Sequence, residues 1–214
     1  MGATGELMSP ARFFHLLVAL AALAGIVLSF AAGPPVPTPI GLRTLRFFSF
    51  FTISTNALVA WAAIGRALPP GRHWRALATR PSMRTAIALY ILVVALIFHL
   101  LLSDMVRPGL SGWLGNMLVH QAAPAGWLLC WFAFGPHGGI DARAPLRWMA
   151  YPLLYGAWTL AHGALLGWYP YPFMNVASHG YPAVLRTMAL MALLFLAIAY
   201  ALRWVDGRLA RRAA

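Results

Sequence analysis

The side chains in this sequence that could do chemistry are few, and most stand alone within apolar stretches. Thr52 and Asn56 occur in one such stretch, and His99, His120 and His162 occur in three others. A threonine hydroxyl becomes a nucleophile when a neighbouring base removes its proton, and a neutral imidazole is the usual base. Thr52 with His120 would therefore suit acyl transfer, whereas the three histidines would suit a zinc ion with an open fourth position. The residue types leave both interpretations open, although no paired His-x-x-x-His motif favours a metal.

Six apolar runs carry these side chains, and each has the length of about 20 residues that a helix needs to cross roughly 30 Å of hydrocarbon. The chain is 61% apolar and only 9% charged, and its mean hydropathy is +0.73, whereas a soluble domain has about 25% charged residues. The sequence therefore predicts an all-α polytopic bundle in which residues 1–214 form a single six-helix transmembrane domain. The predicted spans are residues 11–32, 45–66, 85–106, 113–134, 147–168 and 182–204.

The arginines lie at the ends of the predicted spans rather than on one basic face. Twelve of the sixteen flank one side of the membrane and four flank the other, with Arg72 counted on the richer side and Arg107 on the poorer side. Positive charge concentrates in cytoplasmic loops. Both termini are therefore predicted to be cytoplasmic, in an integral protein of the cytoplasmic (inner) membrane. Because topology explains the formal charge of +12, no nucleic-acid partner is predicted.

Four polar side chains are predicted to lie at one depth in the membrane. In this topology the second and fourth spans begin at the outer surface, and the third and fifth spans end there. Thr52, His99, His120 and His162 are each about six or seven residues from that surface, which is roughly 10 Å at 1.5 Å per helical residue. Since ionisable groups are costly in hydrocarbon, we expect all four to face one outward-opening cavity within the bundle.

Neighbours on the same helix faces extend this layer, because residues three or four positions apart share a side of a helix. Asn56 follows Thr52 in the second span, and Asn116 precedes His120 in the fourth. Both asparagines are candidate oxyanion or orienting donors. Pro124 lacks the amide that would bond the His120 carbonyl, so a kink is predicted there.

Three segments of the chain carry a pattern found in a known family. They are the run from Phe47 to Thr52 followed by Asn56, the run WLGNMLVHQAAP from Trp113 to Pro124, and the run GWYPYPF from Gly167 to Phe173. These segments resemble the androgen-induced-gene membrane proteins and their six-span bacterial relatives. The similarity covers roughly residues 45–175, and it implies a six-span membrane fold.

Animal members of that family hydrolyse fatty acid esters of hydroxy fatty acids, with an intramembrane threonine as nucleophile and a histidine as base. The resemblance implies that Thr52 is the nucleophile and that His120, just ahead of a proline, is the general base. It also implies a role for Asp104, which matches an aspartate after the third span and is a candidate for orienting a histidine. His99 and His162 have no counterpart and are candidates by position alone.

The predicted function is hydrolysis of a lipid ester within the membrane. Membrane lipids are the predicted surroundings, an amphiphilic acyl ester is the predicted substrate, and no cofactor or resident metal is predicted. Two alternatives stay open. The same polar layer would suit a non-enzymatic binder or transporter of small amphiphiles, and the three histidines would suit a metal-dependent membrane enzyme.

Overall fold

The computed structural model describes residues 8–34, 36–69, 73–105 and 109–213 of the chain. Within these ranges the protein is helical and contains no strand, which confirms the predicted all-α class. Arg72, Arg107 and residue 106, the predicted end of the third span, lie outside the described residues. The helices are α1 (Pro10–Ala31), α2 (Ile40–Phe48), α3 (Phe51–Ala67), α4 (His73–Ala78), α5 (Pro81–Ile97), α6 (Leu110–Met117), α7 (Ala123–Ala133), α8 (Ala144–Trp148), α9 (Ala150–Leu166) and α10 (Val176–Ala213).

Three of these helices are long and apolar enough to cross a membrane. They are α1, α5 with its extension to Leu102, and α10 as far as Arg212. A fourth crossing results if α2 and α3, which meet at an angle of 72°, are taken together. The remaining predicted spans coincide with the interrupted helix from α6 to α7 and with α9, which has 17 residues. By length and composition, the described residues therefore contain three or four candidate spans.

α1 packs closely against the segment from α6 to α7, and the two run in opposite directions. A Cβ atom placed on Gly25 would lie 2.7 Å from Val119 Cγ1, and one placed on Gly115 would lie 2.7 Å from the Ser29 amide nitrogen. Small residues at such crossings let helix backbones approach each other in a membrane. Because later residues of α1 meet earlier residues of the other segment, the pair is antiparallel.

The predicted second span, residues 45–66, is broken, which corrects the prediction of one continuous helix. Between α2 and α3, Phe50 has extended backbone angles (φ −81°, ψ 131°). The Ser49 carbonyl accepts a hydrogen bond from the Tyr155 hydroxyl at 2.9 Å. Neither proline nor glycine occurs at this break. As a result, Thr52 is the second residue of α3 rather than an interior residue of a long helix.

Two turns of π-helix interrupt neighbouring segments at one level of the bundle. One, Phe98–Leu102, extends α5, and the other, Leu118–Ala122, joins α6 to α7. After the second turn, the Ala123 amide bonds the Leu118 carbonyl five residues earlier, and Pro124 has no amide with which to continue the regular pattern. The irregularity predicted from Pro124 takes the form of this turn. Single π-helical turns are frequent at functional sites.

Candidate active site

Thr52 and His120 lie within reach of each other, although 68 positions separate them in the chain. The Thr52 Oγ1 atom is 3.3 Å from His120 Nε2. Thr52 is 7% exposed and lies in the first turn of α3, while His120 lies in the π-helical turn between α6 and α7. The break before α3 and the irregular turn opposite it thus bring together the two side chains that the sequence predicts as nucleophile and base.

The contacts of His120 leave one ring nitrogen available to the threonine hydroxyl. Its Nδ1 atom is 3.2 Å from the Asn116 carbonyl oxygen one turn earlier. A carbonyl only accepts, so in the neutral imidazole Nδ1 carries the proton and Nε2 holds a lone pair. The Thr52 hydroxyl then donates to Nε2. The Phe98 ring stacks on the imidazole, with ring centres 3.9 Å apart and planes 13° apart, which fixes the orientation of the base.

Asn56 joins α3 to the turn that holds His120. Its side-chain amide donates to the Thr52 carbonyl at 2.8 Å and to the Val119 carbonyl at 3.1 Å, and the residue is fully buried. Both amide hydrogens are therefore used, and none remains for an oxyanion. In this arrangement Asn56 orients the two segments that carry the nucleophile and the base.

A tyrosine from the segment after α9 contacts the backbone of the proposed nucleophile. The first amides of a helix have no partner within the helix, and the Thr52 amide donates to the Tyr171 hydroxyl at 3.4 Å. Tyr171 is buried and stacks on Phe173. Sequence reasoning assigns Tyr171 no role, and its place in the GWYPYPF run is the only signal that could have found it. Thr52, Asn56, His120 and Tyr171 together form the Thr52 cluster.

Thr52 forms part of the wall of two cavities. The larger, of about 240 Å³, lies among α3, α5, α9 and α10 and is lined mostly by apolar side chains. The smaller, of about 150 Å³, lies beside α3 and the π-helical turn and has His120 and Asn116 in its wall. Thr52, Leu102 and Tyr171 line both cavities. The threonine is therefore at the boundary of the two spaces.

His99 and His162 lie away from this pair, which corrects the prediction that four polar side chains face one cavity. His99 is exposed, and its Nδ1 atom is 2.8 Å from the Ala95 carbonyl of its own helix. Asp104 is also exposed. The neighbour of His99, Phe98, contacts His120 instead. His99 is level with the pair, since it follows Phe98 in the chain, but its side chain lies on another face of the helix.

His162 is buried, at 3% exposed, and lies among aromatic side chains. In the described part of the chain it lines neither cavity. Its ring stacks on Trp158 with planes 3° apart and meets the edge of Trp168 at 5.7 Å between ring centres. In the part of the chain that the structure describes, no three His, Cys, Asp or Glu side chains lie close enough to hold a metal ion. The three-histidine zinc alternative therefore has no geometric support.

A second buried polar group of residues lies at the other end of α5, and sequence reasoning did not predict it. Arg84, Thr85, His137 and Asp206 form this Asp206 cluster. Asp206, 1% exposed, accepts hydrogen bonds from His137 Nδ1 at 2.9 Å and from the Gly138 amide at 2.7 Å. Arg84 is fully buried and donates to three backbone carbonyls at the end of α7 and just beyond it.

Comparisons with protein-family models, with curated proteins and with solved structures found no match. The resemblance of the three sequence segments to the androgen-induced-gene membrane proteins therefore stays a prediction. The arguments for a function come from the Thr52 cluster and the two cavities that it borders.

Proposed function

We propose that the protein is an intramembrane hydrolase of lipid esters, with Thr52 as nucleophile and His120 as general base. The observation that carries this proposal is the 3.3 Å contact between Thr52 Oγ1 and His120 Nε2 in the wall of two cavities. A nucleophile and a base at about 3 Å, with the base oriented by a third group, are typical of covalent acyl transfer. Here the Asn116 carbonyl orients the base. The resemblance to the androgen-induced-gene membrane proteins supports the same two roles.

In the first half of the reaction, the Thr52 oxygen attacks the ester carbonyl carbon while its proton passes to His120 Nε2. The bond from that carbon to the alcohol oxygen then breaks, and the leaving oxygen takes the proton from His120. In the second half, water gives a proton to His120 and attacks the acyl-threonine ester. The threonine oxygen regains the proton as the carboxylic acid leaves. One ester and one water thus become one acid and one alcohol.

Groups that would stabilise the oxyanion surround Thr52. The Asn116 side chain lines the smaller cavity, and the Tyr171 hydroxyl is 3.4 Å from the Thr52 amide. Thr52 also lies at the positive end of the α3 dipole. Donors arranged in advance around a developing negative charge usually make the largest contribution to such catalysis. Of the two asparagines predicted as donors, Asn116 keeps that role in the proposal, and Asn56 is an orienting residue.

The proposal includes six membrane crossings, with both termini in the cytoplasm of a bacterial cell. The antiparallel packing of α1 against the α6–α7 segment supports this topology. Exposed leucines also support it, because their side chains suit contact with lipid; Leu154 is 71% exposed and Leu165 is 83% exposed. A reporter that is active only in the cytoplasm should be active when fused after Arg212 and silent when fused at Gly109. Activity at Gly109 would contradict this topology.

The hydrolase proposal is tested by assaying purified protein against a panel of acyl esters, with Thr52→Val as the blank. Valine keeps the volume of threonine but has no hydroxyl, so turnover should disappear while ester binding remains. A second candidate function, binding or transport of small amphiphiles, is favoured by the mostly apolar larger cavity. Ester binding without turnover in both proteins would support that second function and contradict the hydrolase.

A further inference from the structure

We infer that the two cavities divide the substrate at its ester bond, with the acyl chain in the larger cavity and the alcohol part in the smaller one. The inference rests on the proposed function, because it requires Thr52 to attack an ester carbonyl. It assigns a substrate class, namely esters that join a long apolar acyl chain to a compact alcohol carrying a polar group.

The position of the base determines which cavity receives the alcohol part of the ester and which receives the acyl chain. When the ester bond breaks, the leaving alcohol oxygen receives the proton that His120 took from Thr52. This transfer needs hydrogen-bond contact, so the alcohol oxygen has to lie on the His120 side of the threonine hydroxyl. In the described part of the chain, His120 lines the smaller cavity and not the larger one. The acyl chain, on the other side of the carbonyl carbon, therefore extends into the larger cavity.

The wall of the larger cavity suits a long, flexible hydrocarbon chain. Its described lining contains no charged side chain. Of its polar side chains, the Tyr155 hydroxyl donates to the Ser49 carbonyl and the Thr187 hydroxyl donates to the Ala183 carbonyl, so neither requires a polar ligand. Methionine is unbranched and adapts to irregular apolar surfaces. The methionines in this wall are Met149, Met174, Met188 and Met191.

The smaller cavity suits a compact alcohol with polar character. Its volume is about 150 Å³, against about 240 Å³ for the larger one. Asn116 and His120 contribute polar atoms to its wall, and Phe98 and Ile53 limit its extent. A second hydroxyl or a carboxyl group on the alcohol part would find hydrogen-bonding partners here, and the cavity holds less of an alkyl chain than the larger one does.

The test uses two series of esters and the purified full-length protein. In the first series, one compact alcohol is joined to acyl groups from acetyl to stearoyl. In the second, one decanoyl group is joined to alcohols from glycerol to hexadecanol. The wild-type protein should prefer long acyl chains and compact alcohols, each by about tenfold in kcat/KM, since a few methylenes in an apolar pocket give discrimination of that order.

One narrowing variant for each cavity locates the two parts of the substrate. Ala192→Phe narrows the larger cavity, so it should lower kcat/KM for stearoyl relative to acetyl esters about tenfold and leave the ranking of alcohols as it is. Ile53→Phe narrows the smaller cavity, so it should penalise the larger alcohols and leave the ranking of acyl chains as it is. Phe195→Leu enlarges the larger cavity and should favour the longest acyl chains, which tests the assignment if Ala192→Phe does not fold.

The outcomes separate this inference from the proposed function. If Ala192→Phe or Phe195→Leu changes the ranking of alcohols, and Ile53→Phe changes the ranking of acyl chains, the assignment is reversed. If turnover is lost in Thr52→Val while the rankings reverse in this way, only the assignment is wrong. If Thr52→Val hydrolyses either series at the wild-type rate, or the wild-type protein hydrolyses neither, the proposed function fails as well.

Discussion

The Thr52 cluster and the Asp206 cluster are both buried, yet their hydrogen bonds go to different places. Arg84 donates to backbone carbonyls, and Asp206 accepts from the His137 and Thr85 side chains and from the Gly138 amide. The Asp206 cluster therefore ties the end of α7 and the following loop to α5 and α10. In the Thr52 cluster, the hydroxyl and the imidazole contact each other beside two cavities. A reactive pair beside open space is instead suited to chemistry, so the partners of a polar group are more informative than its burial.

The largest expected effect is the loss of turnover when the imidazole of the Thr52 cluster is removed. His120→Ala should lower the proposed ester hydrolysis by about 10² to 10⁴, the usual contribution of acid–base catalysis, and the protein should still fold. His162→Ala is the matched control, because it removes an imidazole that also stacks on an aromatic ring, that of Trp158, but lines neither cavity in the described structure. The measurement is the steady-state rate of hydrolysis of one ester by each variant. An equal loss of rate in His120→Ala and His162→Ala would contradict the role of His120.

Loss of the carboxylate in the other cluster should change stability instead of turnover. Asp206→Ala leaves His137 Nδ1 and the half-buried Gly138 amide without their acceptor, so the free energy of unfolding should fall by about 3 kcal/mol. Thermal unfolding of the purified protein measures this change. Well below the unfolding temperature, kcat should stay close to the wild-type value. A folded Asp206→Ala protein without activity would mean that the two clusters are coupled.

A smaller effect is expected when the ring that supports the base is removed. Phe98→Leu keeps an apolar side chain but loses the stacking on His120, a contact of the kind that contributes about 0.5–1.5 kcal/mol. Turnover should therefore fall by about two- to tenfold. Because Phe98 also lines the smaller cavity, the variant should accept larger alcohols better than the wild-type protein does and leave the ranking of acyl chains as it is. If Phe98→Leu is as inactive as His120→Ala, the ring has a larger part in the site than orientation of the base.

The smallest effect is expected at an exposed ion pair. The Arg147 guanidinium donates to Asp141 at 2.8 Å, and both side chains are more than half exposed. Exposed pairs contribute little to stability, so Asp141→Asn should leave both the unfolding temperature and the turnover unchanged. This variant is the control for Asp206→Ala, since it removes the same charge from a solvated position. A clear loss of stability would show that this loop does more than carry surface charge.

The contact between Thr52 and His120 could be anticipated from their shared depth in the predicted spans and from the resemblance to the androgen-induced-gene membrane proteins. A lone histidine ahead of a proline and a threonine in an apolar span are unusual enough to be noticed, and composition indicates the all-α class. The break before α3 was not predictable. It involves a hydrogen bond between Ser49 and Tyr155, which are 106 positions apart, and such a bond leaves no local pattern.

For two further residues the observed surroundings differ from the predicted ones, because position along a helix does not determine which way a side chain faces. The rise per residue predicts the level of His99, but packing decides which side chain faces inward, and at this level Phe98 does so. Arg84 is one of the arginines that lie at the end of a predicted span, yet it is fully buried and donates to a carbonyl just beyond the end of α7. Arginine can bond the last carbonyls of a neighbouring helix, so the position of a charge in the sequence does not establish that it meets water.

The central claim, that Thr52 is a nucleophile activated by His120, is tested most directly by covalent labelling. A fluorophosphonate that mimics an ester should label the purified wild-type protein, and peptide mass spectrometry should locate the adduct on Thr52. Labelling should be lost in Thr52→Val, which keeps the shape but has no hydroxyl, and in His120→Ala, which has the hydroxyl but no base. It should persist in His162→Ala. Labelling of Thr52→Val at the wild-type rate, or an adduct on another residue, would contradict the account.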